Sequence, residues 1–288
     1  MFLYFPICSF LYLFLIFLSA IAKPSHIVFI VADDLGFNDI SLHGSPQIPT
    51  PNIDALALDG GVDLLNYHAQ PVCSPSRSEF MSGRHVISTG IYYPFGQGTP
   101  EHLRTDVTLL PEYLKRCCNY STAMVGKYHL GQGSLSQLPT SRGFDSYLGY
   151  LTGAEDHVTH ETTGAYDFTE GVRPAIQYRG NWSTQIFADK ASEIIRNFDK
   201  ESSSLFLYLA FQDVHWPLQA PPEYFSEFNG KVGNVTGSIE RQWVCAMASF
   251  LDTGIGQVVQ SLKDANMYDD TLLIFVSDNG KLLLLNNV

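Results

Sequence analysis

The 288-residue chain carries 17 Lys and Arg against 29 Asp and Glu, a net charge of −12, with 45% hydrophobic and 16% charged residues. This composition excludes a disordered chain, and the lack of a basic tract excludes a nucleic-acid partner, because no block of cations is present to displace counterions from phosphates. The length suits one large core or two modest domains, and any anionic ligand must be met by a local cationic pocket.

Residues 2–22 are apolar almost throughout, carry no charged side chain and end Ser19-Ala20-Ile21-Ala22 before Lys23-Pro24. The small residues at Ala20 and Ala22 make a cleavage pattern, so 1–22 reads as a secretory signal peptide. The run is long enough to span a bilayer and lacks a basic leading region, which leaves a signal anchor as the alternative; no stable membrane span is expected elsewhere. Either reading sends residues 23–280 into the secretory pathway. Three N-x-S/T sequons, at Asn119, Asn181 and Asn234, agree with a lumenal or extracellular destination as glycosylation sites. Cys8 leaves with the leader. Beside Cys73, the odd set of Cys117, Cys118 and Cys245 excludes a disulfide scaffold and leaves at least one thiol without an internal partner.

Residues 26–32 (HIVFIVA) are apolar and rich in β-branched side chains, the pattern of a strand buried on both faces of a parallel sheet, and Asp33 and Asp34 follow at once. Residues 51–59 predict a helix capped by Thr50 with Pro51 in its first position, stopped at Gly60 or Gly61. A second strand is expected over 62–68, leading into Pro71-Val72-Cys73-Ser74-Pro75-Ser76-Arg77-Ser78. A structural cysteine normally sits in an apolar run, whereas Cys73 lies among hydroxyls, proline and charge. A short helix over 76–81 would put Arg77 in its first turn, facing an anion beside Cys73. Residues 109–118 predict an amphipathic helix and 121–125 a strand, whose end carries Gly126-Lys127-Tyr128-His129. Between 131 and 179 periodicity is weak, as expected of loops that shape a pocket. A helix over 183–198, a strand over 205–211 leading to Asp213-Val214-His215, a long helix over 239–265 interrupted near Gly254 and Gly256, and a strand over 271–276 leading to Asp278-Asn279 complete the reading. Four strand ends thus present Asp33/Asp34, Lys127/His129, His215 and Asp278/Asn279, while a further loop presents Cys73. Ligands of open α/β sheets bind beyond the carboxyl ends of the strands, so this repetition points to one site.

Cys73-x-Pro75-x-Arg77, with Ser82-Gly83-Arg84 downstream, resembles the signature of the sulfatases. With Leu35-Gly36-Phe37-Asn38-Asp39, Arg142-Gly143-Phe144-Asp145 and Gly149-Tyr150-Leu151, the resemblance runs from about His26 to Gly280, in the subgroup near arylsulfatase B, the N-acetylgalactosamine-4-sulfatase. It implies an α/β, alkaline-phosphatase-like sandwich with a mainly parallel central sheet flanked by helices, a calcium ion, and oxidation of Cys73 to Cα-formylglycine by the formylglycine-generating enzyme. The resemblance makes Asp33, Asp34, Cys73, Asp278 and Asn279 the calcium ligands, an oxygen-rich set suited to a hard cation. Arg77 would support the formylglycine, Lys127 and His215 would bind sulfate, and His129 would help sulfate leave. The implied substrate is a sulfated carbohydrate or aryl sulfate and the implied destination the lysosome or the cell exterior. A hydrated aldehyde suits this chemistry because one hydroxyl attacks sulfur and the other lets the aldehyde re-form as sulfate is expelled, a return that serine lacks.

The sequence departs from the pattern at Tyr128, where the subgroup has tryptophan, and at Ala154, where relatives offer a serine. After Gly280 the family pattern continues to a second catalytic lysine and a C-terminal subdomain, whereas 281–288 (KLLLLNNV) read as a divergent tail. The expectation is therefore either a working hydrolase of sulfate esters or a truncated or non-catalytic relative that keeps only anion and calcium binding. A phosphatase of the same superfamily is disfavoured by Cys73, since those enzymes use Ser or Thr. Tryptic mass spectrometry of protein made in a eukaryotic secretory host should find formylglycine at position 73; unmodified thiol alone, with the modifying enzyme present, would overturn this reading.

Overall fold

The computed structural model describes residues 25–44, 47–228 and 238–280; the leader 1–22, Asn234 and the tail 281–288 lie outside the described residues. Its centre is a seven-stranded sheet. The strands are β1 (His26–Ala32), β2 (Tyr120–Gly126), β3 (Ser146–Gly149), β6 (Thr169–Glu170), β7 (Arg173–Pro174), β8 (Ser204–Ala210) and β9 (Thr271–Ser277). Between β3 and β6 lies a separate two-stranded hairpin of β4 (Glu161–Thr162) and β5 (Ala165–Tyr166). The order is β7-β6-β3-β2-β8-β1-β9, parallel from β3 to β9 and antiparallel only through β6 and β7 at one edge.

The helices are α1 (Pro51–Leu58), α2 (Cys73–Ser82), α3 (Val86–Thr89), α4 (Leu110–Cys118), α5 (Ser183–Arg196), α6 (Pro222–Phe228) and α7 (Ile239–Asp264). Alternation along β1 explains how they are distributed. Val28, Ile30 and Ala32 join a core with Ala188 and Ala191 of α5 and Ala248, Leu251 and Ile255 of α7, while Val31 joins the opposite core with Met81 of α2, Met124 and Tyr208. Both faces of the sheet are covered, the α/β layering expected of continuous apolar strands. Among the described residues no helix is long and apolar enough to cross a membrane.

Four local expectations are corrected. Residues 62–68 form no strand: Val62 is 80% exposed and Leu64 66%. A strand needs a ladder partner, and no described segment pairs with this one. The helix expected over 76–81 starts at Cys73, so Arg77 sits in its second turn. The long helix runs unbroken through its glycines, because a Cβ at Gly256 would lie 2.6 Å from Asn52 Oδ1; the glycine permits close approach of α1 and α7 rather than interrupting α7. Thr50 is the N-cap residue of α1 but makes no side-chain capping bond; its hydroxyl donates to Asp54 instead. Cys117 and Cys118 are joined to each other, and Cys245 is free and buried.

The capping of α1 comes from α7. Asp252 accepts from the Ile53 N–H at 2.8 Å, the Asn52 N–H at 3.3 Å and the Asn52 side-chain amide at 2.7 Å. These bonds satisfy donors that a helix start leaves unpaired and bind two helices 200 residues apart in sequence. Asp252→Ala should cost about 1–3 kcal/mol in urea denaturation, and Asp252→Asn less, because one oxygen remains to accept.

Candidate functional site

The parallel register brings the strand ends level. Val31 pairs with Ala210, Gly126 with Ala210 and Ala32 with Ser277. The ladder then continues past the strands: Asp33 N–H donates to Asp213 C=O at 2.9 Å, Lys127 N–H to Ala210 C=O at 3.0 Å, and Asp278 N–H to Ala32 C=O at 3.0 Å. Three charged side chains from β1, β2 and β9 are thereby held at one edge.

Arg77 reaches this edge from α2. Its Nε lies 3.0 Å and its Nη2 2.8 Å from Asp278 Oδ2, its Nη2 3.4 Å from Asp33 Oδ1, and its Nη1 donates to Lys127 C=O at 3.1 Å. Lys127 Nζ donates to Asp33 Oδ2 at 2.7 Å. The side chains of Arg77, Lys127, Asp33 and Asp278 are all fully buried. Burial pushes each toward its neutral form, and the opposite charges outweigh it for three of them. Asp33 stays below the usual carboxylate range because Lys127, His215 and Arg77 surround it, and Lys127 and Arg77 are held charged by the two aspartates. Asp278 is raised by burial and by Asp33 beside it.

Asp34, Asn279 and His215 complete the outer side. Asp34 N–H donates to Asp278 Oδ1 at 3.1 Å, the Asn279 amide nitrogen donates to Asp34 Oδ1, and His215 Nε2 lies 3.9 Å from Asp34 Oδ2. Asp34 has φ of 59° and His129 of 53°, a left-handed conformation that non-glycine residues adopt at a cost. Cys73 occupies the first position of α2, and its Sγ lies 3.6 Å from Asp33 Oδ1. Burial and the neighbouring carboxylates push its thiol far up, against the pull of Lys127, so an unmodified Cys73 holds its proton and is a poor nucleophile.

His129 is buried, and Nε2 lies 3.0 Å from the Phe95 carbonyl. A carbonyl only accepts, so Nε2 carries the hydrogen and Nδ1 the lone pair, and Nδ1 has no hydrogen-bond partner among the described residues. Burial, then the charge of Lys127, keeps the ring well below its ordinary pKa and hence neutral. A Cβ at Gly153 would come within 2.8 Å of the ring, so only glycine leaves room for it.

The residues fit a hard divalent cation. Asp33, Asp34 and Asp278 gather three carboxyls at one edge against the two cations Arg77 and Lys127, an oxygen-rich set. Asn279 Oδ1 is buried with no hydrogen-bond partner among the described residues, an oxygen in want of a ligand. Ligand atoms of Asp33, Asp34, Cys73 and His215 lie within 4.8 Å of one another, which adds His215 to the expected neighbourhood. The structure thus assembles Asp33, Asp34, Cys73, Arg77, Lys127, His129, His215, Asp278 and Asn279. The expected glycosylation sites Asn119 and Asn181 are apart from them and exposed. Sequence reading missed Asp213, whose carbonyl anchors Asp33 and whose carboxylate accepts from Thr184, and Phe95, which links His129 to Ser74 through its N–H at 3.0 Å. Asp213 carried a usable signal, its place directly behind a strand; Phe95 carried none, since it acts through its backbone.

The sulfatase family model matches residues 25–286. Arylsulfatase J of Mus musculus is 42% identical over 269 residues, covering 91% of this chain and 44% of that protein. The arylsulfatase of Klebsiella aerogenes is 28% identical, covering 91% and 67%. The crystal structure of Ps i-CgsB in complex with k-i-k-neocarrahexaose superposes with a TM-score of 0.78 at 28% identity, over 90% of this chain and 59% of that one. The chain spans about half the length of several of the curated relatives it matches.

Calcium at about 100-fold above its Kd should raise the melting temperature by roughly 5 °C or more. Asp34→Asn keeps the left-handed backbone accessible and should lose most of that rise in differential scanning fluorimetry; an equal rise would make the carboxylates ordinary loop residues. A second prediction concerns pH. Burial pushes Asp213 up to about 7 and Glu155 well above its usual range. A raised carboxyl contributes stability that is complete below its unfolded value of 3.8 and is lost as pH rises through the folded value. The urea midpoint of the parent chain relative to that of Asp213→Asn should therefore be higher at pH 5 than at pH 7.5, a difference that isolates this carboxyl from the buried histidines, whose lowered values act in the opposite sense.

Proposed function

The chain belongs to the sulfatase family, and on that premise we propose that it hydrolyses sulfate esters of carbohydrates, sulfated amino sugars included, and of aryl alcohols. The observation that carries the proposal is the position of Cys73 at the start of α2, against Asp33 and beside two buried cations. Formylglycine at position 73 and calcium would supply, respectively, a hydrated aldehyde nucleophile and positive charge at the sulfuryl oxygens. Asp33, Asp34, Asp278 and Asn279 would hold the ion.

The chain's own groups account for the rest. Lys127 is charged, dry and fixed by Asp33, so it meets a sulfuryl oxygen without reorganising. Arg77 fixes the orientation of Asp278 and Asp33 and closes the site from the α2 side. His129, neutral with a free Nδ1 lone pair, is suited to take a proton from a hydroxyl at position 73. His215, half-buried with its Nδ1 hydrogen directed to the Trp216 carbonyl, would bind sulfate by donating from Nε2 when the ring is protonated. The apolar leader and the exposed sequons Asn119 and Asn181 support a place in the secretory pathway, lysosomal or secreted.

A second reading rests on Cys73 as a thiol, which burial keeps protonated: a sulfatase relative that binds sulfate and calcium without turnover. Hydrolysis of 4-methylumbelliferyl sulfate by protein co-expressed with the formylglycine-generating enzyme separates the two. Turnover should vanish in Cys73→Ala and fall about 10²–10³-fold in kcat in Lys127→Ala. Sulfate-induced stabilisation without turnover selects the second reading, and absence of both rejects each.

A further inference from the structure

Large aromatic side chains stand exposed on three loops around the ionic centre. Phe37, 58% exposed, follows Asp34 by three residues; Tyr92 and Tyr93, 54% and 80% exposed, precede Phe95; and Trp216, 69% exposed, follows His215 directly. Trp182 and Trp243 by contrast pack on Phe250 and Phe225. Phe37 is stacked on His43 with ring centroids 3.9 Å apart, which leaves the segments of Tyr92 and Tyr93 and of Trp216 as those that turn uncovered rings outward next to groups of the site.

Trp216 is tied to the chemistry most directly. His215 Nδ1 lies 2.6 Å from the Trp216 carbonyl, so the backbone that carries the indole is fixed to the imidazole that faces Asp34. Two amide side chains lie near Phe95 on the neighbouring loops: Gln97 donates to the Ala154 carbonyl at 3.5 Å and Gln132 to the Gly96 carbonyl at 3.1 Å, each leaving its amide oxygen for a hydroxyl donor. The indole offers a flat apolar face one residue from His215, and a sugar ring, which has an apolar C–H face and hydroxyls at its edge, fits such a face with its hydroxyls left to solvent.

We propose that Trp216 is a specificity-determining residue, a platform on which the saccharide ring of a sulfated sugar stacks while its sulfate enters the Lys127 and Arg77 centre. The inference rests on the sulfate-ester reading and adds a residue and a ring to it. Trp216→Ala keeps the carbonyl that holds His215, so it removes the platform and leaves the ionic centre in place.

The test is isothermal titration calorimetry on the full chain with calcium, expressed without the formylglycine-generating enzyme so that Cys73 stays a thiol and the ester is not consumed. The probes are a monosulfated galactosamine disaccharide, its desulfated form and inorganic sulfate. Trp216→Ala should weaken the sulfated disaccharide about three- to tenfold, leave inorganic sulfate unchanged, and be rescued by Trp216→Phe. Unchanged disaccharide affinity overturns the platform and leaves the sulfate-ester reading standing. Equal weakening of disaccharide and inorganic sulfate also overturns it, since the loss then runs through His215. If the parent chain binds neither sulfated probe, the platform and the reading beneath it fall together.

Discussion

The ion cluster of Arg77, Lys127, Asp33 and Asp278, wholly removed from solvent, is the constraint on which the remaining architecture depends. A buried charge is tolerated only when it is paired and hydrogen-bonded, and removal of one partner strands the other at a cost of several kcal/mol. The four groups come from α2, β1, β2 and β9, so the helix and three strands must dock together or not at all. The hydrophobic cores on either face of the sheet are more forgiving, since apolar contacts are non-directional; the ion cluster sets the register they must satisfy.

The parallel sheet is what allows such a cluster. Because β1, β2, β8 and β9 run the same way, their carboxyl ends open on one side, and backbone bonds from Asp33 to Asp213 and from Asp278 to Ala32 hold those ends level. The α2 start adds a second source of positive potential, directed at Cys73. The gathered carboxyls and the Asn279 oxygen, which has no hydrogen-bond partner among the described residues, then leave a place for a cation. Strain is confined to the same neighbourhood, at Asp34 and His129, both in left-handed conformations.

The two buried carboxyls behind this edge belong to a different economy of charge. Asp213 and Glu155 are raised by burial, whereas Asp33 is held down by the cations around it. Acids at and behind this edge are thus shifted in opposite directions by what surrounds them: Asp278, Asp213 and Glu155 up by burial, and Asp33 down, against its burial, beside Lys127, His215 and Arg77.

Most of the strands and helices were legible in the sequence, because each apolar run was long, β-branched or periodic and ended in a charged pair. The nine residues singled out in the sequence are brought together, seven because the sheet's directionality gathers its strand ends and Cys73 and Arg77 because α2 packs against that edge. Residues 62–68 misled for a physical reason: their composition suits a strand, but a strand exists only where a neighbour supplies its ladder. Gly254 and Gly256 read as breaks because a sequence does not show that α1 and α5 press against α7. Thr50 read as a capping side chain because Asp252, which takes that work, lies 200 residues away. The sequence by itself determined the α/β class, the residue types of the site and their order along the chain. Only the tertiary structure decided that Arg77 binds Asp278 across 201 residues, that His129 keeps its Nδ1 free, and that Trp216 faces solvent beside His215, because charge pairing, tautomer and exposure are set by which distant groups meet.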